Sequence, residues 1–408
     1  MRCGSGHGAS LSAAAREPQT RTPRVTGDGA AASIPRRVLI AYDLRYAADH
    51  FTGIGTHAHA LFAALLELPG DERYAVLWDP RLENRRFDVR TFASHPRVTW
   101  HERAIAPLGP ASPLQVGAWL RSVRPDVYLS PFYFAPVGAR CPILLTIHDV
   151  WPLRLPEGFS RVRGAVYRLS LQLARRARFI VTSSRFSRDE IVELLPMPES
   201  RVRAIRLGVP PAPKEDADRR PAALDADRFA LVVGDNRPRK NLHTLARAWA
   251  LLGDRPPLAL VSAGPNDPRY PTLARLAADE GARGVHSLGW VDERELAWLY
   301  RHAETILFPS RYEGFGFPLV EAFVHGRPTI AADIAVLREI GEGVTRFVPV
   351  DDHRAWAEAV RAFCDDPELR ERSARAGIAR SRELRYQDTA RETLDLVREA
   401  AGVTLPRR

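Results

Sequence analysis

Lysine is almost absent from this chain, although its 408 residues include 59 lysines and arginines and carry a formal net charge of +10. Lys214 and Lys240 are its two lysines, so the positive charge comes from arginines, an excess typical of genomic codon bias. The chain also lacks blocks of five or six like charges and basic patches interleaved with aromatic residues, which are typical of nucleic-acid binding. The net charge therefore predicts no nucleic-acid partner.

Cysteine frameworks, metal motifs and long apolar runs are missing as well. Cys3, Cys141 and Cys364 form no framework and the 12 histidines are scattered, so we expect no disulfide, no metal site and a cytoplasmic location. No run of 18 apolar residues occurs, and therefore no membrane-spanning helix is expected. Residues 1–35 lack the apolar segment of a secretory signal and are expected to be a disordered extension or a misassigned start.

Short apolar runs alternate with helical patterns twice along the chain. The first strand is expected to start at residue 36 and end at Asp43, and a break containing four prolines at 209–227 predicts a linker. Alternation on both sides of this break favours parallel sheets with helices on both faces. The expected fold class is α/β, with two Rossmann-like doubly wound domains, 36–208 and 228–385, that face an inter-domain cleft.

Two glutamates flank a glycine-bearing turn in the last third of the chain. The pattern predicts Glu313 on a loop and Glu321 in the first turn of a helix that opens near Pro318. Both would face the helix N-terminus, where an anion is favoured. A carboxylate pair also fits the acid and base of a glycoside hydrolase. An anionic centre with hydroxyl-rich flanks instead suggests a sugar nucleotide as the ligand.

Lys240 stands out because the chain uses arginine almost everywhere else. It follows Arg239 in the loop between the first predicted strand and helix of the second half. A compact ammonium is not interchangeable with a guanidinium, and a cation at a helix start opposes the macrodipole. A purely structural role is therefore disfavoured, and we predict that these two cations bind a diphosphate.

Two further features have both a functional and a structural interpretation. Gly53 and Gly55 lie in a predicted loop before a helix that starts at His57; backbone there can approach a ligand closely, or simply make a tight turn. His148 and Asp149 end a predicted strand, where they point into the crevice or form an ordinary hydrogen-bonded pair.

A basic amphipathic pattern at residues 161–178 also has two interpretations. Arg161, Arg168 and Arg175 recur at heptad spacing beside an apolar stripe. Such a helix suits peripheral contact with an anionic membrane. A packed helix with a solvated arginine face is the simpler explanation in an arginine-rich chain.

Taken together, these segments resemble the retaining glycosyltransferases of family 4, which have the GT-B fold. The resemblance runs from about Arg37 to the C-terminus, and the order and spacing of the motifs are specific. Besides the glycine loop and the glutamate block, it rests on residues 146–149, 181–187, 203–209, 238–241 and 289–291.

The resemblance implies roles for individual residues. Glu313 would contact hydroxyls of the donor sugar, Glu321 the ribose, and Arg239 with Lys240 the diphosphate. His148 would lie near the reacting face of the sugar. The remaining donor-binding positions are Gly53 and Gly55, which bring backbone close to the donor, and Phe315, Gly316, Phe317, Pro318, Leu319 and Val320.

The resemblance also implies a mechanism and an architecture. The acceptor would attack the front face of the sugar and the departing diphosphate would take its proton, with no metal, no cofactor and no covalent sugar intermediate. A final helix, within 386–408, would cross back onto the N-terminal domain. Asp235 stands where many relatives have a second phosphate-binding arginine, in a loop one residue shorter, and Arg237 is the candidate to compensate.

Substrates follow from the resemblance only as classes. The donor is a hexose nucleotide, GDP-mannose or UDP-glucose, and the acceptor a saccharide or lipid-linked saccharide of surface-polysaccharide assembly. Peripheral attachment at the inner face of the cytoplasmic membrane fits such an acceptor. The alternatives are glycosylation of a small natural product and a nucleotide-sugar-binding protein without catalysis.

Overall fold

A computed structural model of the protein describes residues 37–155, 161–209 and 218–403, without the side chains of 161–163. The predicted N-terminal extension, 1–35, and residues 210–217 of the predicted linker lie outside the described residues.

The first half of the described chain forms a parallel sheet. Its seven strands in the described ranges are β1 Leu39–Asp43, β2 Arg73–Trp78, β3 Val98–Glu102, β4 Val127–Ser130, β5 Ile143–Thr146, β6 Phe179–Thr182 and β7 Val202–Ala204. They lie in the order β3-β2-β1-β4-β5-β6-β7. This order, with helical crossovers between parallel strands, is that of a doubly wound sheet.

The second half repeats the arrangement with its own sheet. Six strands of the described residues form it: β8 Phe229–Val233, β9 Ala259–Ala263, β10 Val285–Gly289, β11 Thr305–Phe308, β12 Thr329–Ala332 and β13 Arg346–Val348. Their order is β10-β9-β8-β11-β12-β13, again all parallel. Because β8 and β11 are neighbours, the loops that follow them meet at the carboxyl edge of the sheet.

Helices cover both faces of each sheet. In the first half they are α1 Thr52–Glu67, α2 Ser112–Val123, α3 Trp151–Arg154, α4 Arg161–Ala174 and α5 Arg185–Leu194. In the second half they are α6 Leu242–Ala250, α7 Leu273–Asp279, α8 Glu293–His302, α9 Phe317–Val324, α10 Ala335–Gly341, α11 His353–Asp365, α12 Pro367–Ser381 and α13 Tyr386–Ala400. None of these helices has the length and apolar character needed to span a bilayer.

The cores follow the alternation of side chains along each strand. Tyr42 packs with the core beneath α1 and α13, whereas its neighbour Ala41 packs on the opposite face with α2 and α4. In the second sheet Val232 faces Trp249 and Trp356, which are fully buried. Successive residues of a strand point to opposite faces, so two-sided burial explains the continuous apolar runs.

Two chain segments connect the halves side by side. Val209, after β7, bridges Arg385, just before α13. Thr389 Oγ1 accepts from the N–H of Gly208 at 2.9 Å and donates to the carbonyl of Arg206 at 2.8 Å. The last helix, α13, then packs on α1 of the first half.

We predict that Gly208→Ala destabilises the protein at this crossing. A Cβ there would lie 2.1 Å from the backbone nitrogen of Tyr386, so the crossing segments must move apart, at a cost of about 1–3 kcal/mol. Gly164→Ala in α4 is the matched control, because its Cβ would meet no atom within 4 Å. Chemical unfolding measures both; equal stabilities of the two variants would contradict the prediction.

Candidate functional site

Two adjacent loops at the carboxyl edge of the second sheet carry the central charges. The loop after β8 ends in a single 3-10 turn, Pro238–Lys240, and the loop after β11 carries Glu313. The N–H of Arg311 donates to the carbonyl of Arg239 at 2.8 Å, which ties the loops together. The strand order therefore brings together residues that are more than 70 positions apart in sequence.

The ammonium of Lys240 and the carboxylate of Glu313 form a buried ion pair. The Lys240 Nζ to Glu313 Oε1 distance is 2.7 Å, and the two side chains are 10% and 12% exposed. Arg239 Nη1 lies 3.5 Å from the same oxygen, and its Nη2 lies 3.2 Å from Asp235 Oδ2. Burial acts to raise the pKa of Glu313, but the charges of Lys240 and Arg239 outweigh it, so this pKa is lowered.

The first half of the protein closes over this pair through the end of β5. Gly314 lies so close to His148 that a Cβ on it would be 2.4 Å from the His148 carbonyl oxygen. Glycine is therefore required for the two halves to meet here. Burial is the main cause that raises the pKa of neighbouring Asp149 to about 6. The charge of Arg239 lowers this pKa, and the charge of Glu313 raises it. The structure thus brings His148, Glu313, Lys240 and Asp149 into one cleft.

The His148 ring is held in one tautomer. Its Nε2 lies 3.1 Å from the carbonyl oxygen of Pro131, and because a carbonyl only accepts, Nε2 carries the proton. Nδ1 is then an acceptor. Burial lowers the pKa of His148 to about 4, so the ring is neutral near pH 7. His57 contacts it edge-on with ring centroids 5.0 Å apart.

Gly53 and Gly55 lie in the first turn of α1, not in a loop before it. The prediction that the helix starts at His57 was wrong, because α1 begins at Thr52. A Cβ on Gly53 would lie 3.6 Å from the ring of Phe317, at the start of α9. The first turn of α1 and the glutamate block therefore face each other across the cleft.

Glu321 lies in the second turn of α9, so its predicted place in the first turn was wrong. The helix begins at Phe317, one residue before the proline from which its start was inferred. The Glu321 carboxylate accepts a hydrogen bond of 2.6 Å from Tyr300 Oη. Burial raises the pKa of Glu321. Its partner is a neutral hydroxyl, whereas Glu313 has cationic partners.

The segment between the glutamates forms an apolar floor with polar backbone above it. Phe315, Leu319 and Val320 are buried, while Phe317 and Pro318 are half-buried. Gly316 caps α9. Among the described residues, no hydrogen-bond acceptor lies on the N–H groups of Phe315, Gly316 and Phe317. These three donors at a helix N-terminus can bind an oxygen-rich ligand.

Comparison with known proteins identifies this arrangement. The profile of glycosyltransferase family 4 matches residues 51–213, and that of glycosyl transferases group 1 matches residues 214–380. The chain belongs to glycosyltransferase family 4. It is 27% identical over 289 residues to O-antigen chain mannosyltransferase B of Escherichia coli, covering 68% of this chain and 76% of that protein.

A second relative is similar in sequence, and a solved structure shares the fold. O-antigen chain mannosyltransferase RfbU of Salmonella typhimurium is 27% identical over 219 residues, covering 53% of this glycosyltransferase and 59% of that protein. Anabaena HepE in complex with UDP-glucose is 18% identical, with a TM-score of 0.65, and the match covers 88% of this chain and all of that chain. The predicted α/β class and GT-B fold are thereby confirmed.

Charges in the loop after β8 of this glycosyltransferase are already partly paired. Asp235 holds Arg239, and Arg237 lies 3.8 Å from Asp235 and 3.6 Å from Asp267 in ion pairs. Within the described residues, no three His, Cys, Asp or Glu side chains converge as metal ligands.

Sequence reasoning missed several residues of the site. Tyr300, which donates a hydrogen bond to Glu321, lies in the last turn of α8 and gives no signal in the sequence. Glu293, the first residue of α8, was missed as well; partial burial raises its pKa while Arg86 from the first half lowers it. For Asp149 the sequence left open whether it points into the crevice or pairs with His148; the largest charge effects on its pKa come from Arg239 and Glu313.

We predict that His148 makes the glycosyltransferase less stable in mild acid. Its folded pKa of about 4 lies below the ordinary 6.5, so the unfolded state binds a proton first. The stability is present above pH 6.5 and is lost as the pH falls towards 4. Between pH 7.5 and 5 the wild type should lose about 2 kcal/mol more than His148→Gln. Urea unfolding at both pH values measures this; an identical pH dependence would exclude it.

Proposed function

We propose that the protein is a retaining hexosyltransferase with GDP-mannose as its donor. The acceptor is a saccharide or lipid-linked saccharide in cell-surface polysaccharide assembly. The observation that carries the proposal is the buried Lys240–Glu313 pair, at 2.7 Å, in the cleft opposite His148. The two relatives described above are named O-antigen mannosyltransferases, which supports mannose and a polysaccharide product.

Donor binding would exchange the partners of this pair. The diphosphate offers anionic oxygens to Lys240 and Arg239, and Glu313 is then free to accept from sugar hydroxyls. The N–H groups of Phe315, Gly316 and Phe317 add donors at the start of α9. Cations fixed in a buried site stabilise developing negative charge without reorganising. Glu321 in this arrangement accepts from the ribose hydroxyls.

The transfer step needs no protein nucleophile. The bond between the sugar C1 and the diphosphate oxygen breaks, the acceptor oxygen bonds to C1 on the same face, and its proton passes to the departing phosphate. Glu313 is held by two cations, which suits a hydroxyl acceptor. Neutral His148 can accept a hydrogen bond at Nδ1 from a sugar hydroxyl, and this bond would position the sugar.

The nucleobase would lie beyond the ribose, next to Glu293. The charge of Glu293 acts on both Tyr300 and Glu321, which supports a position for it beside the proposed ribose site. A carboxylate can accept from both N1–H and the 2-amino group of guanine, whereas uracil offers one N–H between two carbonyls. This chemistry favours GDP over UDP.

A peripheral membrane contact is consistent with the exposed face of α4. Val166 and Leu169 are 52% and 62% exposed, with Arg168 exposed beside them. Apolar side chains next to arginine suit an anionic bilayer surface on the cytoplasmic side, where nucleotide sugars are available. Co-sedimentation with anionic vesicles tests the contact, and equal recovery with neutral vesicles would count against it.

We predict that Lys240→Ala reduces turnover more than donor binding. The charge on the leaving diphosphate grows in the transition state, so kcat should fall by about 100-fold while the donor Kd changes less. Lys240→Arg is the control that keeps the charge but not the geometry. Its kcat should lie between those of the wild type and Lys240→Ala. Steady-state kinetics and calorimetry measure both quantities. Undiminished turnover with equal donor affinity in Lys240→Ala would contradict the proposed role of Lys240.

We predict that GDP and GDP-mannose raise the melting temperature more than UDP, ADP or their sugar conjugates. A ligand at 100 times its Kd stabilises by about 2.7 kcal/mol. Glu293→Ala should reduce the GDP shift and leave the UDP shift unchanged. The shifts should persist in EDTA; dependence on Mg²⁺ would show that a metal is required. A larger shift with UDP than with GDP would replace guanine by uracil in the proposal.

A further inference from the structure

Three serine hydroxyls from the first half converge on one carbonyl oxygen of the second half. Ser183, Ser184 and Ser187 place their Oγ atoms 3.1, 2.8 and 3.2 Å from the oxygen of Gly314. All three serines are at most 2% exposed. Ser183 and Ser184 lie in the turn between β6 and α5, and Ser187 lies in the first turn of α5. All three belong to a motif of the family resemblance to which no role was assigned.

The Gly314 carbonyl has more hydrogen-bond donors around it than a buried carbonyl needs. A carbonyl oxygen has two lone pairs, and here three hydroxyls surround it. Ser183 also reaches the carbonyl of His148 at 3.4 Å, and Ser184 accepts from the N–H of Ser187 at 3.1 Å as the N-cap of α5. The turn is therefore organised around the Gly314 carbonyl.

The direction of this carbonyl determines the direction of the next amide. A trans peptide is planar, with its C=O and N–H on opposite sides. When the Gly314 carbonyl points at α5, the N–H of Phe315 points away from α5. Among the described residues this N–H has no acceptor, and it directly follows the loop that carries Glu313. The serines thus fix the orientation of a free donor beside the sugar-binding carboxylate.

We propose that Ser183, Ser184 and Ser187 are positioning residues that orient the Gly314–Phe315 peptide, and with it Glu313, towards the donor sugar. This rests on the proposed function. The serines belong to the first sheet domain and the loop to the second. The peptide is therefore fully oriented only when the two domains are in contact. This couples the position of the first domain to the geometry of the donor site.

Neighbouring contacts reinforce the same junction. The carboxylate of Glu339 accepts from the N–H groups of Arg185 and Phe186 at 3.0 and 3.3 Å, at the N-terminus of α5. Tyr312 Oη donates to Glu190 Oε2, on the same helix. These bonds hold α5 against the second domain independently of the serines, so a serine variant can keep the junction and lose only the peptide orientation.

The test compares Ser183→Ala/Ser187→Ala with Ser170→Ala. Ser184 is kept because it caps α5. Ser170 is the matched control, a buried serine whose hydroxyl donates to a carbonyl, that of Val166, at 2.9 Å within the first domain. The measurements are kcat, the Kd for GDP, and hydrogen exchange of the peptide that spans residues 312–319.

In the double variant, kcat should fall by about tenfold, as expected for the loss of one to two hydrogen bonds. The Kd for GDP should stay within about threefold, and the 312–319 peptide should exchange faster, whereas Ser170→Ala should match the wild type. Unchanged kcat and exchange in the double variant would overturn the proposal, as would an equal loss in Ser170→Ala. A wild type that neither binds GDP nor transfers sugar would refute the proposed function instead, because exchange still reports on the serines.

Discussion

The buried ion pair between Lys240 and Glu313 is the interaction on which the rest of the cleft depends. Taking an isolated ion out of water costs several kcal/mol, so neither charge could remain in this cleft alone. Each compensates the other, and Arg239, itself held by Asp235, adds to the balance. The pair therefore keeps Glu313 ionised and both side chains in place before any ligand arrives. In the proposed function, a diphosphate would replace the carboxylate as the counter-charge of the lysine with little further cost of desolvation.

The pair can lie this deep because the backbone around it approaches unusually closely. At Gly314 the absence of a Cβ lets the glutamate loop contact the carbonyl of His148, and Gly53 lies beside the ring of Phe317. Both contacts join the first domain to the second. Water is thereby largely excluded from the charges, which strengthens their interaction, and the backbone of His148 in one domain lies against the glutamate loop of the other.

The sequence predicts the interior of both sheets well and their edges poorly. Buried strands such as Phe229–Val233 are continuous apolar runs, because both faces are covered. The outer strands of the two sheets, β3 and β7 in the first and β10 and β13 in the second, lack such runs and are not predicted by them. Val98–Glu102 and Val285–Gly289 are half-exposed and contain polar residues, so no apolar run marks them.

The residues of the site also divide into those that the sequence predicts and those that it does not. Lys240 could be singled out because it is a lysine in an arginine-rich chain, and Glu313 because of the glycines beside it. The serine contacts could not be found, since they join residues about 130 positions apart and depend on how the domains meet. The helix starts near Gly53 and Glu321 were misplaced because a glycine or a proline was taken as the boundary, whereas the helices begin at Thr52 and Phe317.

Because of Asp235, the charge balance of this site depends more strongly on Lys240. An arginine at that position, as the family resemblance leads one to expect, would add a cation to the phosphate site, whereas the aspartate takes up part of the charge of Arg239 at 3.2 Å and lies 3.8 Å from Arg237. In the proposed donor complex, both guanidinium groups would approach the diphosphate already partly neutralised. Among the described residues, Lys240 has only Glu313 at hydrogen-bonding distance, and that carboxylate would turn to the sugar when the donor binds. The growing charge of the leaving group would then be met chiefly by one ammonium, which gives a physical reason for a lysine at this position of a chain that otherwise uses arginine.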